Sequence, residues 1–345
     1  MKAFFSTRSQ RQISLKMKAI CVTETRKLEI REVPTPSTPP PGYINVSIAA
    51  SSINHGDKTF LKILPAAAFA ASPIWGASAA GTVSEIGPDV PASYLNRKVA
   101  IYRGLKSNDK VIGLWCETAQ VPFQTALLLP DNVDVKDYSG SLVNVATAYA
   151  FLDTAKAEGH SGVLVTAGTS ATGRALVVLA RKRGVPVLSI VRSEEAKLDL
   201  VNSGVEKENV LYSGDADFLV ELEKRSQELG TTAVFDGVGG SLIGNILRSL
   251  PKDSTVYFYG FMSGPEKVEF PSMVFIMKSL SMKMFANSNT VTVKEKLGDM
   301  LKDLEGSIED EEFRTELGEE FKLEEIEKAM EYEGGRKKAV LVFGK

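Results

Sequence analysis

The 345-residue chain has only two cysteines and two histidines, and this scarcity limits the functions open to it. Protein-bound zinc is held by three or four cysteine, histidine or carboxylate side chains at characteristic spacings. Neither Cys-x-x-Cys nor His-Glu-x-x-His occurs in the sequence. Two cysteines also cannot build a disulfide framework, which fits a reducing compartment. We therefore expect no metal site and a cytoplasmic location.

The sequence also lacks a basic surplus and any long apolar run. Lys and Arg number 41 against 43 Asp and Glu, so the formal net charge is −2. A nucleic-acid-binding surface needs clustered cations, and a membrane-spanning helix needs about 20 largely apolar residues in succession. We therefore expect neither a nucleic-acid partner nor a membrane partner, which leaves a small molecule as the expected substrate.

The first sixteen residues contain four basic residues and no acidic residue. Such a composition is typical of a transit peptide. We interpret residues 1–16 as an N-terminal extension, because a second start-like segment, MKAICV, begins at Met17. Targeting to the mitochondrial matrix is the alternative.

Two patterns divide the rest of the chain. The first part consists of short strand-like segments separated by Pro- and Gly-rich turns, which is typical of a barrel-like β domain. Further along, strand-like and helical segments alternate, which predicts a doubly wound parallel sheet. The sequence thus predicts an α/β protein with one domain at 17–141 and 288–345 and another at 142–287. Within the first, the acidic run at 305–313 is predicted to be a solvated helix face.

A candidate phosphate-binding turn, GTSATG, joins the strand GVLVTAG to a helix. The three-glycine pattern of dinucleotide-binding turns is incomplete here, but backbone N–H groups still converge at the helix N-terminus. The two glycines provide the tight turn and the close helix packing, and the three hydroxyl side chains can donate to phosphate oxygens. A helix N-terminus without a ligand is the alternative. The predicted phosphate-binding residues are Gly168, Thr169, Ser170, Ala171, Thr172 and Gly173.

The end of the second strand of this domain indicates which cofactor binds. An acid there accepts the ribose 2′-hydroxyl of NAD, whereas an arginine accommodates the 2′-phosphate of NADP. Arg192 directly follows the strand PVLSIV, and Ser193 and Lys197 lie close behind it. A guanidinium–phosphate contact is charge-assisted and geometrically specific. We therefore predict NADPH. NADH is the alternative, because Glu194 and Glu195 are also present.

The arrangement of motifs resembles the zinc-independent branch of the medium-chain dehydrogenase/reductase superfamily, which includes NADPH:quinone oxidoreductases and 2-enoyl thioester reductases. Five segments carry the resemblance in family order: ASSINHGD, GASAAGTVSEIGPDV, LVNVATAYAFL, TSATG and YGFMSGPEKVEFPS. The resemblance implies a GroES-like β-barrel domain beside a Rossmann-type domain. It also implies a homodimer whose cofactor-domain sheets continue through the strand near LSMKMFA.

The resemblance further implies which residues contact the cofactor. Asn144 and Thr147 would lie beside the nicotinamide, and Tyr212 would flank the adenine. A third group would line the nicotinamide ribose, the cleft and its far side. That group consists of Tyr259, Gly260, Phe261, Met262, Phe285, Asn287 and Lys338.

The sequence departs from the family pattern at three positions. Ser78 stands where an acid is usual, Leu64 where the enoyl thioester reductases place a tyrosine, and Ala286 near where they place a tryptophan. We therefore predict reduction of a quinone, enone or other conjugated carbonyl. A mitochondrial-type 2-enoyl thioester reductase and a non-catalytic nucleotide-binding relative are the alternatives.

Hydride transfer needs little acid–base machinery, because the cofactor supplies the hydride and the protein orients the substrate and stabilises the developing charge. We select Asn54 as the orienting polar group and Tyr259 as the cleft residue. His55 is interpreted as either a proton donor or a structural histidine. Asp57 is expected to be a helix N-cap, and Tyr149 is expected to be a core residue.

The Arg192 prediction can be tested by direct binding. In an Arg192→Ala variant, we expect NADPH affinity to fall about tenfold or more, because a charge-assisted contact contributes about 1.5–3 kcal/mol. NADH affinity should change little. Calorimetric titration of both nucleotides measures the two effects, and equal losses would contradict the assignment of Arg192 to the 2′-phosphate.

Overall fold

The computed structural model describes residues 15–64, 73–105, 113–264 and 266–344. Nearly all of the predicted N-terminal extension, residues 1–16, therefore lies outside the described residues. Among the described residues, no helix combines the length and the apolar character that crossing a bilayer requires.

One half of the molecule is a six-stranded sheet in which every pairing is parallel. Its strands are β8 (Val163–Val165), β9 (Val187–Val191), β10 (Val210–Tyr212), β11 (Ala233–Asp236), β12 (Thr255–Phe258) and β13 (Ser281–Met284). The spatial order is β10-β9-β8-β11-β12-β13. The chain therefore reverses direction across the sheet between β8 and β11, which is where such sheets bind ligands.

Helices connect and cover this sheet. They are α2 (Ser141–Ala157), α3 (Ala171–Arg183), α4 (Glu194–Asn202), α5 (Phe218–Leu229), α6 (Gly240–Ile246) and α7 (Ser272–Met277). Four aromatic rings pack between α2 and the sheet. Phe151 stacks on Phe235 with ring centroids 4.0 Å apart, Phe235 stacks on Tyr257 at 4.8 Å, and Phe285 meets Phe151 edge-on.

The other half is built around a seven-stranded sheet. Its strands are β3 (Tyr43–Ser52), β4 (Ser78–Ile86), β5 (Lys98–Tyr102), β6 (Thr118–Pro122), β7 (Ala126–Leu128), β14 (Leu317–Phe321) and β15 (Lys338–Val342). The main path runs β14-β15-β3-β4-β5-β7, and β6 also pairs with β3. The C-terminal β15 thus completes a sheet made of N-terminal strands.

In the part of the chain that the structure describes, a two-stranded sheet and four helices accompany the seven-stranded sheet. The strands are β1 (Lys16–Val22) and β2 (Leu28–Pro34), which pair antiparallel. The helices are α1 (His55–Ile63), α8 (Val291–Glu295), α9 (Leu297–Glu305) and α10 (Ile326–Glu331). The predicted α/β fold class, with a doubly wound parallel sheet beside a β domain, is confirmed.

The acidic run at 305–313 does not form the predicted solvated helix face. Helix α9 ends at Glu305, and turns lead into a short 3-10 helix at Glu311–Phe313. The reason is burial, because Ile308 and Phe313 turn inward and are 0% and 1% exposed. The two apolar residues therefore hold the acidic segment against the core.

An ion-pair network crosses between the two halves. Arg174 of α3, whose side chain is 9% exposed, pairs with Glu312 at 3.3 Å and with Asp199 of α4. Arg336, in the turn before β15, bonds the same Asp199 at 2.6 Å and Glu316 at 2.5 Å. The network therefore ties the helix that follows the phosphate turn to the segments around β14 and β15.

Candidate active site

The predicted phosphate turn joins β8 to α3, and its backbone packs too tightly for side chains at both glycines. A Cβ on Gly173 would lie 2.4 Å from the carbonyl oxygen of Gly168. A Cβ on Gly168 would lie 2.8 Å from the Cβ of Ser189 in β9. Ala167, just before the turn, has a φ of 55°, which L-residues rarely adopt. The turn is therefore shaped by backbone contacts that only glycine permits.

The hydroxyl residues of the turn organise its helix N-terminus. Ser170 is the N-cap of α3, and its side chain accepts a hydrogen bond from the N–H of Gly173 at 3.1 Å. Thr172 donates to the side-chain oxygen of Asn144 at 3.0 Å, and Asn144 in turn donates to the carbonyl of Gly140 at 2.6 Å. First-turn N–H groups have no preceding helical carbonyl, so such an end favours an anion. The turn and the start of α2 thus form one polar unit.

The predicted adenosine side lies at the ends of β9 and β10. Arg192 is exposed and makes no hydrogen bond or ion pair with any described residue. Ser193 is the N-cap of α4 and accepts from the N–H of Ala196 at 3.1 Å, while the Lys197 ammonium lies 3.4 Å from Asp215. Tyr212 is partly buried, and its ring lies over Gly214. Among the described residues, Arg192 is thus the cation of this group without a partner.

A hydrogen-bonded chain lies on the predicted nicotinamide side. Asn287 donates to Thr147 at 2.7 Å and to the hydroxyl of Tyr102 at 3.3 Å, and Thr147 donates to the carbonyl of Val143 at 2.5 Å. The side-chain oxygen of Asn287 is buried and has no hydrogen-bond partner among the described residues. A buried acceptor of this kind usually has a partner. Because Tyr102 belongs to β5, this series of hydrogen bonds extends into the half built around the seven-stranded sheet.

Phe285, which the resemblance implies would close the far side of the cleft, packs against the aromatic core. Its side chain is 9% exposed and packs edge-on against Phe151 and Phe235. Phe261, by contrast, packs edge-on against Phe60 of α1 at 5.7 Å, across the two halves. Met262, beside it, is 49% exposed. The turn after β12, which includes Gly260, therefore supplies the apolar edge of the cleft, and Phe285 supports it from the core.

Tyr259 lies beneath the phosphate turn. The centroid of its ring is 4.8 Å from that of Phe151. Its hydroxyl oxygen would lie 2.6 Å from a Cβ on Gly237, so it packs closely against that glycine. Burial, more than the negative charge of Asp236, raises the pKa of Tyr259, and a hydrogen bond with Ser170 opposes that shift. Tyr259 therefore keeps its proton and is better suited to supporting the turn than to proton transfer.

Asn54 is the centre of a polar cluster on the substrate side. Its amide nitrogen donates to Ser78 at 2.9 Å and to Asp57 at 3.2 Å, and its amide oxygen accepts from the Lys338 ammonium at 2.6 Å. Asp57 is not the predicted N-cap. Asn54 is the N-cap of α1, and Asp57 is the third helical residue, accepting from the N–H of Asn54 at 2.9 Å. The two residues form a capping box, which fixes Asn54 in place.

His55 and Tyr149 have simpler surroundings. His55 lies at the start of α1 with much of its surface exposed. Partial desolvation of its ring, and then the charges of Lys58 and Lys62, lower its pKa. Tyr149 is 7% exposed and donates to Asp303 at 2.6 Å, as a buried supporting residue does.

Sequence reasoning missed two features of the site. Asp236, fully buried at the end of β11, accepts from Thr166 at 2.6 Å and from the N–H groups of Val238 and Gly239. It thereby shapes the turn that faces the phosphate turn. The available signal was an acid followed by glycines, FDGVGG, at a strand's carboxyl end. Tyr102 was missed because only the fold brings it to Asn287.

Comparison with known proteins finds one matching family model and several related proteins. A family model described as zinc-binding dehydrogenase matches residues 171–303. Among the described residues, however, no group of three or more His, Cys, Asp or Glu is arranged to hold a metal.

Two curated relatives and one solved structure illustrate the similarity. The mitochondrial enoyl-[acyl-carrier-protein] reductase of Kluyveromyces lactis is 27% identical over 198 residues, covering 51% of this chain and 50% of that protein. The NADPH quinone oxidoreductase of Kluyveromyces marxianus is 25% identical over 200 residues, covering 52% and 51%. A mycobacterial quinone oxidoreductase structure is 22% identical with a TM-score of 0.68, covering 95% of this chain and 100% of that one. The chain thus spans about half the length of these curated relatives.

These findings confirm the resemblance inferred from the sequence. The relatives and structural neighbours lie in the medium-chain dehydrogenase/reductase superfamily, in its quinone oxidoreductase and enoyl reductase-like branch. The helix N-terminus at Ser170 belongs to the parallel-sheet half and the polar cluster at Asn54 to the other half.

The phosphate turn is testable without any activity assay. In a Ser170→Asp variant the helix keeps a good N-cap, but the carboxylate repels a diphosphate, so we expect loss of NADPH and NADH binding by at least about 100-fold. Ser170→Asn, a neutral N-cap, is the matched control. Nucleotide fluorescence titration with both variants measures the difference. Equal affinity in the Asp and Asn variants would show that no phosphate binds at this turn.

Proposed function

We propose that the chain is an NADPH-dependent oxidoreductase that transfers hydride to a quinone, an enone or another conjugated carbonyl without zinc. The single observation that carries the proposal is the pairing of the glycine-shaped turn at 168–173 with an exposed, unpaired guanidinium at Arg192. A helix N-terminus takes the diphosphate, and an arginine after the second strand takes the 2′-phosphate. The bound nicotinamide would supply the hydride.

The site residues fit the nicotinamide end of such a cofactor. The buried, unpaired oxygen of Asn287 is an acceptor of the kind that a carboxamide N–H would satisfy. Thr147, bonded to Asn287, and Asn144, bonded to Thr172, would hold that end in register with the phosphate turn. Phe60 and Phe261 would exclude water from one side of the cleft. The named relatives, an enoyl reductase and a quinone oxidoreductase, support the same reaction type.

Reduction of 2-enoyl thioesters is the second candidate, favoured by the relative from Kluyveromyces lactis. Leu64, where that subfamily has a tyrosine, is partly buried and packs in an apolar cluster with Ile53 and Trp75. It supplies no hydroxyl to orient a thioester. That relative is also named as mitochondrial, whereas we propose a cytoplasmic location on the cysteine content.

An acceptor panel tests the proposal. We expect NADPH to be oxidised by 1,4-benzoquinones and by alkenals or enones. Its oxidation by crotonyl thioesters should be at least about tenfold slower, because the site supplies no hydroxyl to orient the thioester. Loss of the 340 nm absorbance follows the reaction. Fast oxidation by crotonyl thioester alone would support the second candidate. Tight NADPH binding with no oxidation by any acceptor would contradict both and favour a non-catalytic nucleotide-binding protein.

We further propose a homodimer through the cofactor domain. Strand β13 lies at the edge of the six-stranded sheet, and large apolar side chains cluster on it and on α7. Met273, Ile276, Met277 and Met284 are 69–75% exposed. An exposed apolar strand edge is an association hazard unless a partner covers it. A second copy of the chain would cover it by extending the sheet.

The dimer proposal predicts the effect of one charge. We expect Met284→Lys to convert a dimer into a monomer, because two ammonium groups would face each other across the two-fold axis. Val220→Lys is the matched control, since Val220 is 67% exposed on α5, outside that cluster. Light scattering coupled to size exclusion gives the masses. A wild-type monomer at micromolar concentration would contradict the proposal.

A further inference from the structure

A lysine with an unusual environment faces the cleft from the substrate side. Lys338 is the first residue of β15, and its ammonium donates to the amide oxygen of Asn54 at 2.6 Å. An ammonium has three N–H donors, so this bond leaves two available. Asn54 is itself locked by the capping box with Asp57 and by the hydroxyl of Ser78. The amine is therefore held at a defined point.

The position of that point follows from its neighbours. A Cβ on Gly140 would lie 3.3 Å from the Lys338 Nζ, so the amine sits against the residue that precedes α2. The carbonyl of the same Gly140 accepts from Asn144, and Asn144 accepts from Thr172 of the phosphate turn. Hydrogen bonds therefore run from the phosphate turn through Asn144 to Gly140, and the Lys338 amine lies against that same glycine.

The Asp57 carboxylate is the charge that acts on this amine, and Arg103 acts in turn on Asp57. The Asp57 carboxylate of α1 is 1% exposed, and one of its oxygens has no hydrogen-bond partner among the described residues. Arg103, in the turn after β5, is the largest of the charges that hold the pKa of Asp57 down against the raising effect of burial. His55 and Lys58 lie on α1 on either side of Asp57, and Lys58 donates to the carbonyl of Tyr332 at 2.8 Å. From β3 and the start of α2, the facing residues Ser52 and Gly140 carry no charge.

Building on the proposed function, we propose that Lys338 is the proton donor of the reduction. Hydride from the reduced nicotinamide adds to the acceptor and leaves an enolate or a hydroquinone monoanion. The Lys338 N–H bond breaks, an O–H bond forms on that oxyanion, and the neutral amine regains a proton from water. The cofactor is oxidised by two electrons, the acceptor is reduced by two, and the products are an enol or a hydroquinone.

The acid–base properties of the residue suit this step. Burial lowers the pKa of Lys338 to about 8, although the Asp57 carboxylate opposes that shift. The ammonium form, which is the acid, is present below pH 8 and is lost as the pH rises through 8. A general acid works best when its pKa is close to the working pH. Leu64, at the position of the family tyrosine, supplies no proton.

The pH dependence of turnover tests the proposal. For the wild type at saturating NADPH, kcat should fall about tenfold per pH unit above pH 8. We expect Lys338→Met to lower kcat by at least about 100-fold and to remove this descent, with a much smaller loss of NADPH affinity. Lys337→Met, at the preceding position, is the matched control and should keep the wild-type profile. In Asp57→Asn, which retains an oxygen for the capping box, the descent should move to lower pH because the attraction that raises the pKa of Lys338 is gone.

A second readout does not depend on turnover. Trace acetylation of the cofactor-free protein at several pH values, read by mass spectrometry, should show Lys338 becoming reactive near pH 8. With NADPH added, the amine should become reactive only at a higher pH, because the cofactor would cover it. A wild-type pH profile in Lys338→Met, or a loss confined to NADPH affinity, would overturn the donor role alone. A wild type that binds NADPH and reduces no acceptor would overturn the proposed function, and the donor role with it.

Discussion

The absence of side chains at Gly168 and Gly173 is the constraint on which the site depends. Helix α3 begins so close to the end of β8 that a single added carbon would meet a backbone oxygen at 2.4 Å. This approach aims the helix N-terminus at the crevice where the strand order reverses. Ser170 caps the helix, and Thr172 reaches Asn144, so the start of α2 is positioned by the same contact. Everything on the nicotinamide side is then placed relative to this turn.

Local patterns in the sequence were sufficient to predict the strand, the glycine turn and the helix around residues 168–173. A strand, a glycine-rich turn and a helix follow one another within a short segment, and Arg192 directly follows the next strand, so neither position depends on distant parts of the chain. An apolar residue after a strand can face the cleft or the core, and only the fold shows that Phe285 meets Phe151 and Phe235 edge-on. The acidic run was misassigned because only two inward apolar residues, Ile308 and Phe313, set its direction.

The substrate half could not be assembled from the sequence in the same way. Asn54 and Lys338 are far apart in the sequence. They meet because β15 pairs antiparallel with β3, which sets Val340 opposite Ser52. No periodicity or spacing encodes that pairing. Asp57 showed a smaller version of the problem, since a helix start three residues earlier changes an N-cap into the acid of a capping box. Long-range strand pairing, rather than local propensity, therefore gives the substrate side its chemistry.

The late arrival of β15 also has a consequence for how the chain reaches its native state. During synthesis, β3 is made early, and its partner strand leaves the ribosome only after the whole cofactor domain has been translated. Until then the segment of β3 from Ala50 to Ser52 has an unpaired backbone edge. A chaperone or another nascent chain can pair with that edge. The parallel sheet, whose strands lie together within one continuous stretch, can form without waiting. The parallel-sheet half is therefore expected to be the folding template, and Lys338 is among the last residues around Asn54 to be put in place.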